Sequence, residues 1–113
     1  MRIISGEFGG RRIKIPRNLP IRPTTDQAKE GIFNIISNKV DLVGLKILDL
    51  FSGTGSFGIE CLSRGAKSVT FFENYSNSIK ILKKNLDLLN LNKNSTIIEK
   101  DVFSINPTQH NLS

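Results

Sequence analysis

Three acidic residues follow apolar stretches of this sequence, and one of them precedes a glycine-rich turn. Asp49 comes four residues before Gly53, Glu73 lies 20 positions after Gly53, and Asp101 follows a third apolar stretch. A glycine turn lets a ligand approach the backbone, and a carboxylate attracts cationic groups or accepts hydrogen bonds from hydroxyl and amino groups. These residues predict a binding site for a polar ligand that carries positive charge.

Residues 53–58 read Gly-Thr-Gly-Ser-Phe-Gly and match the dinucleotide pattern G-x-G-x-x-G, which is a weak signal when taken alone. A dinucleotide would place its pyrophosphate at this turn, where the carboxylate of Asp49 is unfavourable. S-adenosylmethionine has a sulfonium and an α-ammonium group and no phosphate, so we expect Asp49 to order its methionine end. Glu73 would accept the ribose hydroxyls, as an acid also does for NAD, and Asp101 would accept the adenine amino group.

Each acid also has a purely structural interpretation. Asp49 can cap the glycine turn, Glu73 can pair with a surface lysine, and Asp101 can begin a turn. However, all three end successive predicted strands, and the carboxyl ends of parallel strands meet at one edge of a sheet. Their joint arrangement therefore favours a common binding site.

The elements that must position these acids follow from periodicity and turn residues. The sequence predicts strands at 46–51, 68–73 and 96–99, with helices at 56–64 and 77–89 between them. Strand 46–51 is expected to be buried. The alternation predicts an α/β, Rossmann-like fold with a parallel sheet and crossover helices. An apolar stripe on the second of these helices is predicted to face the core, and it consists of Ile79, Leu82, Leu86 and Leu89.

The N-terminal segment is strongly basic. Residues 1–22 hold six basic residues and one acidic residue, whereas the rest holds ten basic and nine acidic residues. Residues 2–5 and 12–16 are predicted to form a β-hairpin with one basic face, before a connector and a helix that begins with a capping box at 24–27. This charge favours RNA or DNA as a partner, and a solubilising basic edge is the alternative.

Length and composition limit the class of protein. The chain has 113 residues, of which 38% are hydrophobic, enough for one small globular domain. It contains no apolar run of membrane-spanning length and no signal-peptide pattern, so we expect a soluble cytoplasmic protein. The single cysteine, Cys61, excludes a disulfide framework and is interpreted as a buried core thiol.

Several segments resemble one family of enzymes. Residues 49–55, Asp-Leu-Phe-Ser-Gly-Thr-Gly, are similar to the first motif of S-adenosylmethionine-dependent methyltransferases. The N-terminal Met-Arg-Ile-Ile-Ser-Gly, Arg-Pro-Thr-Thr-Asp at 22–26 and Phe-Asn-Ile at 33–35 resemble the bacterial 16S rRNA guanine-N2 methyltransferases. The resemblance covers nearly the whole chain. It implies a Rossmann-like methyltransferase domain at 23–113, preceded by an RNA-binding hairpin and connector at 1–22.

The resemblance implies transfer of a methyl group from S-adenosyl-L-methionine to the exocyclic N2 of a guanine in small-subunit rRNA, so 16S rRNA or the small ribosomal subunit is the expected partner. No metal is expected. The implied cofactor contacts are Asp49, Phe51, Ser52, Gly53, Thr54, Gly55, Glu73, Asn74, Asp101 and Val102. The implied RNA contacts are Arg2, Arg11, Arg12, Lys14 and Arg22.

The family also has an Asp/Asn-Pro-Pro-Tyr/Phe motif, which accepts hydrogen bonds from the target amine and stacks on the flipped base. This chain reaches Ser113 without that motif, and Asn106-Pro107 is interpreted as a turn. We therefore expect a cofactor-binding half of a methyltransferase that has no catalytic residues and is inactive alone. The alternatives are a non-catalytic RNA-binding module and an NAD-linked oxidoreductase, which Asp49 disfavours.

Overall fold

The computed structural model describes residues 2–14, 26–50 and 52–100, in which helices and strands alternate. The predicted capping box at 24–27 begins outside the described residues. The α/β order is confirmed, and the ends of the elements after residue 45 agree with the prediction to within two residues. The elements are α1 (Asp26–Lys39), β1 (Lys46–Asp49), α2 (Ser56–Ser63), β2 (Ser68–Phe72), α3 (Ser76–Leu88) and β3 (Ser95–Ile98), with a short 3-10 helix at Asn92–Asn94.

The three strands form one parallel sheet in the order β1-β2-β3. Asp49 at the end of β1 pairs with Phe71, and Phe72 at the end of β2 pairs with Ile98. The carboxyl ends of the strands therefore lie at the same edge of the sheet. This edge is where open parallel sheets bind ligands, so the register places Asp49 and the residue after Phe72 next to the glycine turn.

The core lies where the helices meet the sheet. The predicted stripe on α3 is confirmed, because its four apolar residues are at most 6% exposed. Val69 and Phe71 of β2 are also buried. Gly58 brings α2 against these two side chains, and a Cβ on Gly58 would lie only 2.3 Å from Cε1 of Phe71. The third glycine of the G-x-G-x-x-G pattern, which lies within α2, is therefore required by helix-to-sheet packing.

Strand β1 differs from the prediction that it is buried. Lys46 is exposed, and the side chain of Leu48 is 46% exposed. The reason is the position of the strand, since β1 is at the edge of the described sheet and pairs with β2 alone. A short apolar run has no periodicity that distinguishes an edge strand from a central one.

The predicted N-terminal hairpin is present as a single bridge that closes a loop, in place of two full strands. Arg2 and Arg12 form an isolated antiparallel bridge, and the N–H of Ile3 donates to the carbonyl oxygen of Arg11 at 2.8 Å. Ile3 and Ile13 are buried in the main core, while the neighbouring arginines are exposed. The alternation of apolar and basic residues thus gives one face that packs on the domain and one basic face. Residues 15–16 of the prediction lie outside the described residues.

Candidate cofactor-binding site and basic surface

The segment after β1 folds over the carboxyl end of β2. The N–H of Ser52 donates to the carbonyl oxygen of Phe72 at 3.1 Å, and Ser52 Oγ donates to the carbonyl oxygen of Asp49 at 2.9 Å. Asp49 itself is half-buried at the end of β1. Two short contacts therefore fix the glycine turn at the sheet edge that the sequence predicted.

Glu73 joins this turn to the next strand through its carboxylate. Oε1 accepts the N–H of Gly53 at 2.7 Å, and Oε2 accepts the N–H of Tyr75 at 2.9 Å. Each carboxylate oxygen has about two acceptor sites, so both oxygens keep capacity for a further donor such as a hydroxyl group. Glu73 can thus hold the turn in place and bind a ligand at the same time.

The glycines of the turn have different structural roles. Gly53 has a φ of +52°, and a Cβ at this position would meet open space. Gly55 has a φ of +95°, and its Cβ would lie 2.4 Å from Cδ1 of Leu82. The sequence predicts close approach of a ligand at these glycines. In the structure, a Cβ on Gly55 or Gly58 would also meet side chains of the protein, whereas Gly53 faces open space.

Asn85 of α3 is wholly buried and contacts the turn from inside the protein. Its Nδ2 donates to the carbonyl oxygen of Thr54 at 3.0 Å. Nδ2 also donates to the carbonyl oxygen of Lys14 at 3.2 Å, and Oδ1 accepts the N–H of Lys14 at 2.8 Å. Its residue type alone did not indicate a role for Asn85 at the site. Its spacing of three residues from Leu82, which places it on the apolar stripe, was the available signal.

A second buried polar group lies between α1 and α2 and was also missed. The side chains of Lys29 and Glu60 have no exposure, and Nζ lies 3.3 Å from Oε1. Lys29 Nζ donates to the carbonyl oxygen of Arg2 at 2.7 Å and to Ser56 Oγ at 3.2 Å, and Glu60 Oε1 accepts the N–H of Ile4 at 2.8 Å. This ion pair therefore fastens the N-terminal segment to the helix that starts at the glycine turn.

Four of the predicted RNA contacts form what we call the N-terminal basic surface, which consists of Arg2, Arg11, Arg12 and Lys14. All four residues are exposed. Arg2 lies 3.6 Å from Asp26 in an exposed ion pair, and Arg11 Nη2 donates to the carbonyl oxygen of Leu88 at 3.3 Å. Exposed ion pairs contribute about 0–1 kcal/mol, so Asp26 does not prevent Arg2 from attracting a polyanion.

Some predicted site residues lie outside the described part of the chain, namely Phe51, Asp101, Val102 and Arg22. Asn74 is exposed next to Glu73. Within the described ranges, no group of His, Cys, Asp and Glu side chains is arranged to hold a metal ion. None of the described helices combines the length and apolar character that crossing a membrane requires. Of the predicted cofactor contacts, the structure brings Asp49, Ser52, Gly53 and Glu73 together at the carboxyl edge of the sheet.

Cys61 is buried behind the site, in agreement with its interpretation as a core thiol. The pKa of this thiol is raised from 9.0 to about 11, mainly by burial and further by the carboxylates of Asp49 and Glu60, while Arg64 acts in the opposite direction. The thiolate is the nucleophilic form of cysteine. Cys61 is therefore protonated and unreactive at neutral pH.

Comparison with known sequences gives consistent matches. The family model described as Conserved hypothetical protein 95 matches residues 1–111. The Bacillus subtilis (strain 168) protein named "Putative rRNA methyltransferase YlbH" is 43% identical over 101 residues, which are 89% of this chain and 54% of the relative. "Ribosomal RNA small subunit methyltransferase D" of Escherichia coli (strain K12) is 34% identical over 115 residues, 99% of this chain and 57% of the relative. The chain spans about half the length of these curated relatives.

The fold is similar to that of a solved structure, "Putative methyltransferase yhhF" from Escherichia coli. The TM-score is 0.79 at 33% sequence identity, and the match covers 92% of this chain and 54% of that chain. The Rossmann-like methyltransferase fold predicted from the sequence is confirmed, and so is the resemblance to rRNA methyltransferases. A methyl donor is therefore the cofactor class that the relatives imply.

Proposed function

We propose, from the premise that this chain belongs to the family described as Conserved hypothetical protein 95, that it functions as an S-adenosyl-L-methionine-dependent rRNA methyltransferase. The proposed target is the exocyclic N2 of a guanine in 16S rRNA, and the described residues supply the cofactor site and a surface for RNA. One observation carries the cofactor assignment: Glu73 holds the open glycine, Gly53, at 2.7 Å beside the end of β1.

The described residues fit this cofactor. When bound, S-adenosylmethionine supplies an electrophilic methyl group on a sulfonium sulfur. Asp49 offers negative charge to the cationic methionine end, and Glu73 offers acceptors to the ribose hydroxyls. Gly53 leaves open space for close approach of the ligand. By resemblance to the family, Asp101 and Val102 would contact the adenine.

The RNA part of the proposal is supported by charge and by the relatives. The N-terminal basic surface presents four cationic side chains, and neutralising phosphates with such groups releases condensed counterions. The names of the relatives refer to rRNA and to the small subunit. With 16S rRNA or the small ribosomal subunit as partner, the proposed site of action is the cytoplasm.

The proposal is tested by calorimetric titration with S-adenosylhomocysteine, the demethylated product of the cofactor. We expect saturable binding with a stoichiometry of about one, and no binding of NADH under the same conditions. Binding of NADH in its place would support the oxidoreductase alternative. A protein that binds an rRNA transcript but does not bind S-adenosylhomocysteine would be a non-catalytic RNA-binding module.

The activity itself is tested by methyl transfer to a 16S rRNA transcript, using S-adenosylmethionine with a labelled methyl group. The label should reach RNA when this sequence is present together with the Pro-Pro-aromatic segment of its family. Nuclease digestion should then release N2-methylguanosine as the labelled nucleoside. Label on a different atom or base would contradict the proposed target while leaving the cofactor assignment intact.

A further inference from the structure

One buried side chain contacts both the N-terminal basic surface and the glycine turn. The amide of Asn85 pairs with the N–H and the carbonyl oxygen of Lys14 at 2.8 and 3.2 Å. It also donates to the carbonyl oxygen of Thr54, between Gly53 and Gly55, at 3.0 Å. We propose that Asn85 is a positioning residue that couples RNA binding at Lys14 to cofactor binding at the glycine turn. This inference rests on the proposed function.

The three hydrogen bonds use the full donor capacity of the amide. Both hydrogens on Nδ2 are donated, to Lys14 and to Thr54, and Oδ1 accepts from Lys14. A carboxamide is planar, so its acceptor and its two donors keep fixed directions. A displacement of the Lys14 backbone therefore requires the amide to rotate or to lose its bond to Thr54. The positions of the RNA-binding residue and of the turn are set by one rigid group.

Burial makes this link strong enough to transmit a change. Asn85 has no exposed surface, so water cannot replace a hydrogen bond that breaks, and a buried polar group left unpaired is destabilising. A ligand that fixes Lys14 thus favours the arrangement of Asn85 that fixes Thr54. Coupling between two binding sites is reciprocal, so the cofactor must favour RNA binding by the same factor.

A second buried link allows the role of Asn85 to be tested without losing the fold. Lys29 Nζ joins the carbonyl oxygen of Arg2 to Ser56 Oγ, which lies after the turn. This contact remains in variants of Asn85 and keeps the N-terminal segment on α2. Asn85 differs from Lys29 because its partner Thr54 lies within the turn itself.

The experiment measures the dissociation constant of S-adenosylhomocysteine with and without a saturating 16S rRNA transcript, using the full chain. In the wild type, RNA should tighten cofactor binding by at least about fivefold. In Asn85→Leu, which is close in volume and has no polar group, this ratio should fall to near one. Lys14→Pro removes the N–H that Asn85 accepts, and its ratio should fall as well, which keeps the test valid if Asn85→Leu does not fold.

Lys14→Ala is the matched control because it removes the charge but keeps both main-chain bonds to Asn85. This variant should bind RNA more weakly. At saturating RNA, the ratio of its dissociation constants for S-adenosylhomocysteine without and with RNA should equal that of the wild type. Equal ratios in the wild type, Asn85→Leu and Lys14→Pro would overturn the inference, and so would a wild-type ratio of one. Failure of the wild type to bind S-adenosylhomocysteine at all would overturn the proposed function, and the inference with it.

Discussion

Glu73 accepts the N–H of Gly53 at 2.7 Å, although 20 residues separate the two in sequence. The contact joins the ends of two neighbouring parallel strands, and it places a carboxylate beside the open glycine of the turn. Because the second oxygen of Glu73 holds the N–H of Tyr75, the side chain has a fixed orientation before any ligand binds. Such preorganisation lowers the entropy cost of binding.

Replacing Glu73 by Ala should weaken binding of S-adenosylhomocysteine by at least about tenfold, because hydrogen bonds to a charged group are worth about 1.5–3 kcal/mol. Isothermal titration calorimetry measures this change. Glu30→Ala removes the same charge from an exposed position on α1 and should leave the dissociation constant unchanged. An unchanged constant in Glu73→Ala would reject the ribose assignment.

Replacing Arg11, Arg12 and Lys14 together by Ala should reduce the salt dependence of RNA binding. The slope of log affinity against log salt should fall by up to about 2 if each side chain neutralises one single-stranded phosphate. Lys80, Lys83 and Lys84 are exposed on α3 and give a control with the same change in net charge. If both triple variants lose the same slope, the N-terminal basic surface has no special role.

Lys29→Met should destabilise the protein by about 1.5–3 kcal/mol, because it removes one of the two cations paired with the buried carboxylate of Glu60 and leaves Arg64, whose Nε lies 2.9 Å from Oε2. Urea unfolding at neutral pH gives the free energy of unfolding. Lys80→Met changes an exposed lysine on α3 and should stay within about 0.5 kcal/mol of the wild type. A small effect of Lys29→Met would mean that the buried pair contributes little net stability.

Gly58→Ala should cost about 1–3 kcal/mol, because its new Cβ would lie 2.3 Å from Cε1 of Phe71 and 2.9 Å from Cγ1 of Val69. Gly31→Ala is the matched opposite. A Cβ there meets nothing within 4 Å, and alanine favours the α1 helix by up to about 1 kcal/mol. The midpoint temperature of thermal unfolding should therefore be lower than that of the wild type in Gly58→Ala and higher in Gly31→Ala.

The raised pKa of Cys61 predicts slow alkylation of the native protein below about pH 11, since the thiolate is then a minor form. In urea the thiol should react with its ordinary pKa, close to 9.0. A folded pKa above the unfolded pKa stabilises the protein below pH 9.0, and this contribution is lost as the pH rises towards about 11. Cys61→Ala should therefore lose less stability than the wild type over that interval.

The elements and the acids at the strand ends could be predicted from the sequence because their signals are local. The α3 stripe repeats with helical spacing, and Gly53 and Gly55 mark the turn directly. Asp49 and Glu73 follow apolar runs, so the parallel sheet alone places them at one edge. These features depend on residues near each other in the chain.

The buried polar groups could not be predicted because their partners are distant. Asn85 forms hydrogen bonds with Lys14, which is 71 positions away in sequence, and Glu60 accepts a hydrogen bond from Ile4, which is 56 positions away. Lysine, glutamate and asparagine are usually exposed, so their types indicate a solvated face unless the partners are known. The edge position of β1 was also outside the reach of local patterns.

The contact between Lys14 and Asn85 has a consequence for synthesis on the ribosome. At about 5–20 residues per second, the 71 positions that separate them take about 4 to 14 seconds to translate. During that interval residues 2–14 lack Asn85 and, at first, Glu60 as hydrogen-bond partners for their backbone groups. The four basic side chains of this segment favour hydration, so we expect its backbone contacts to form only after α3 has been synthesised.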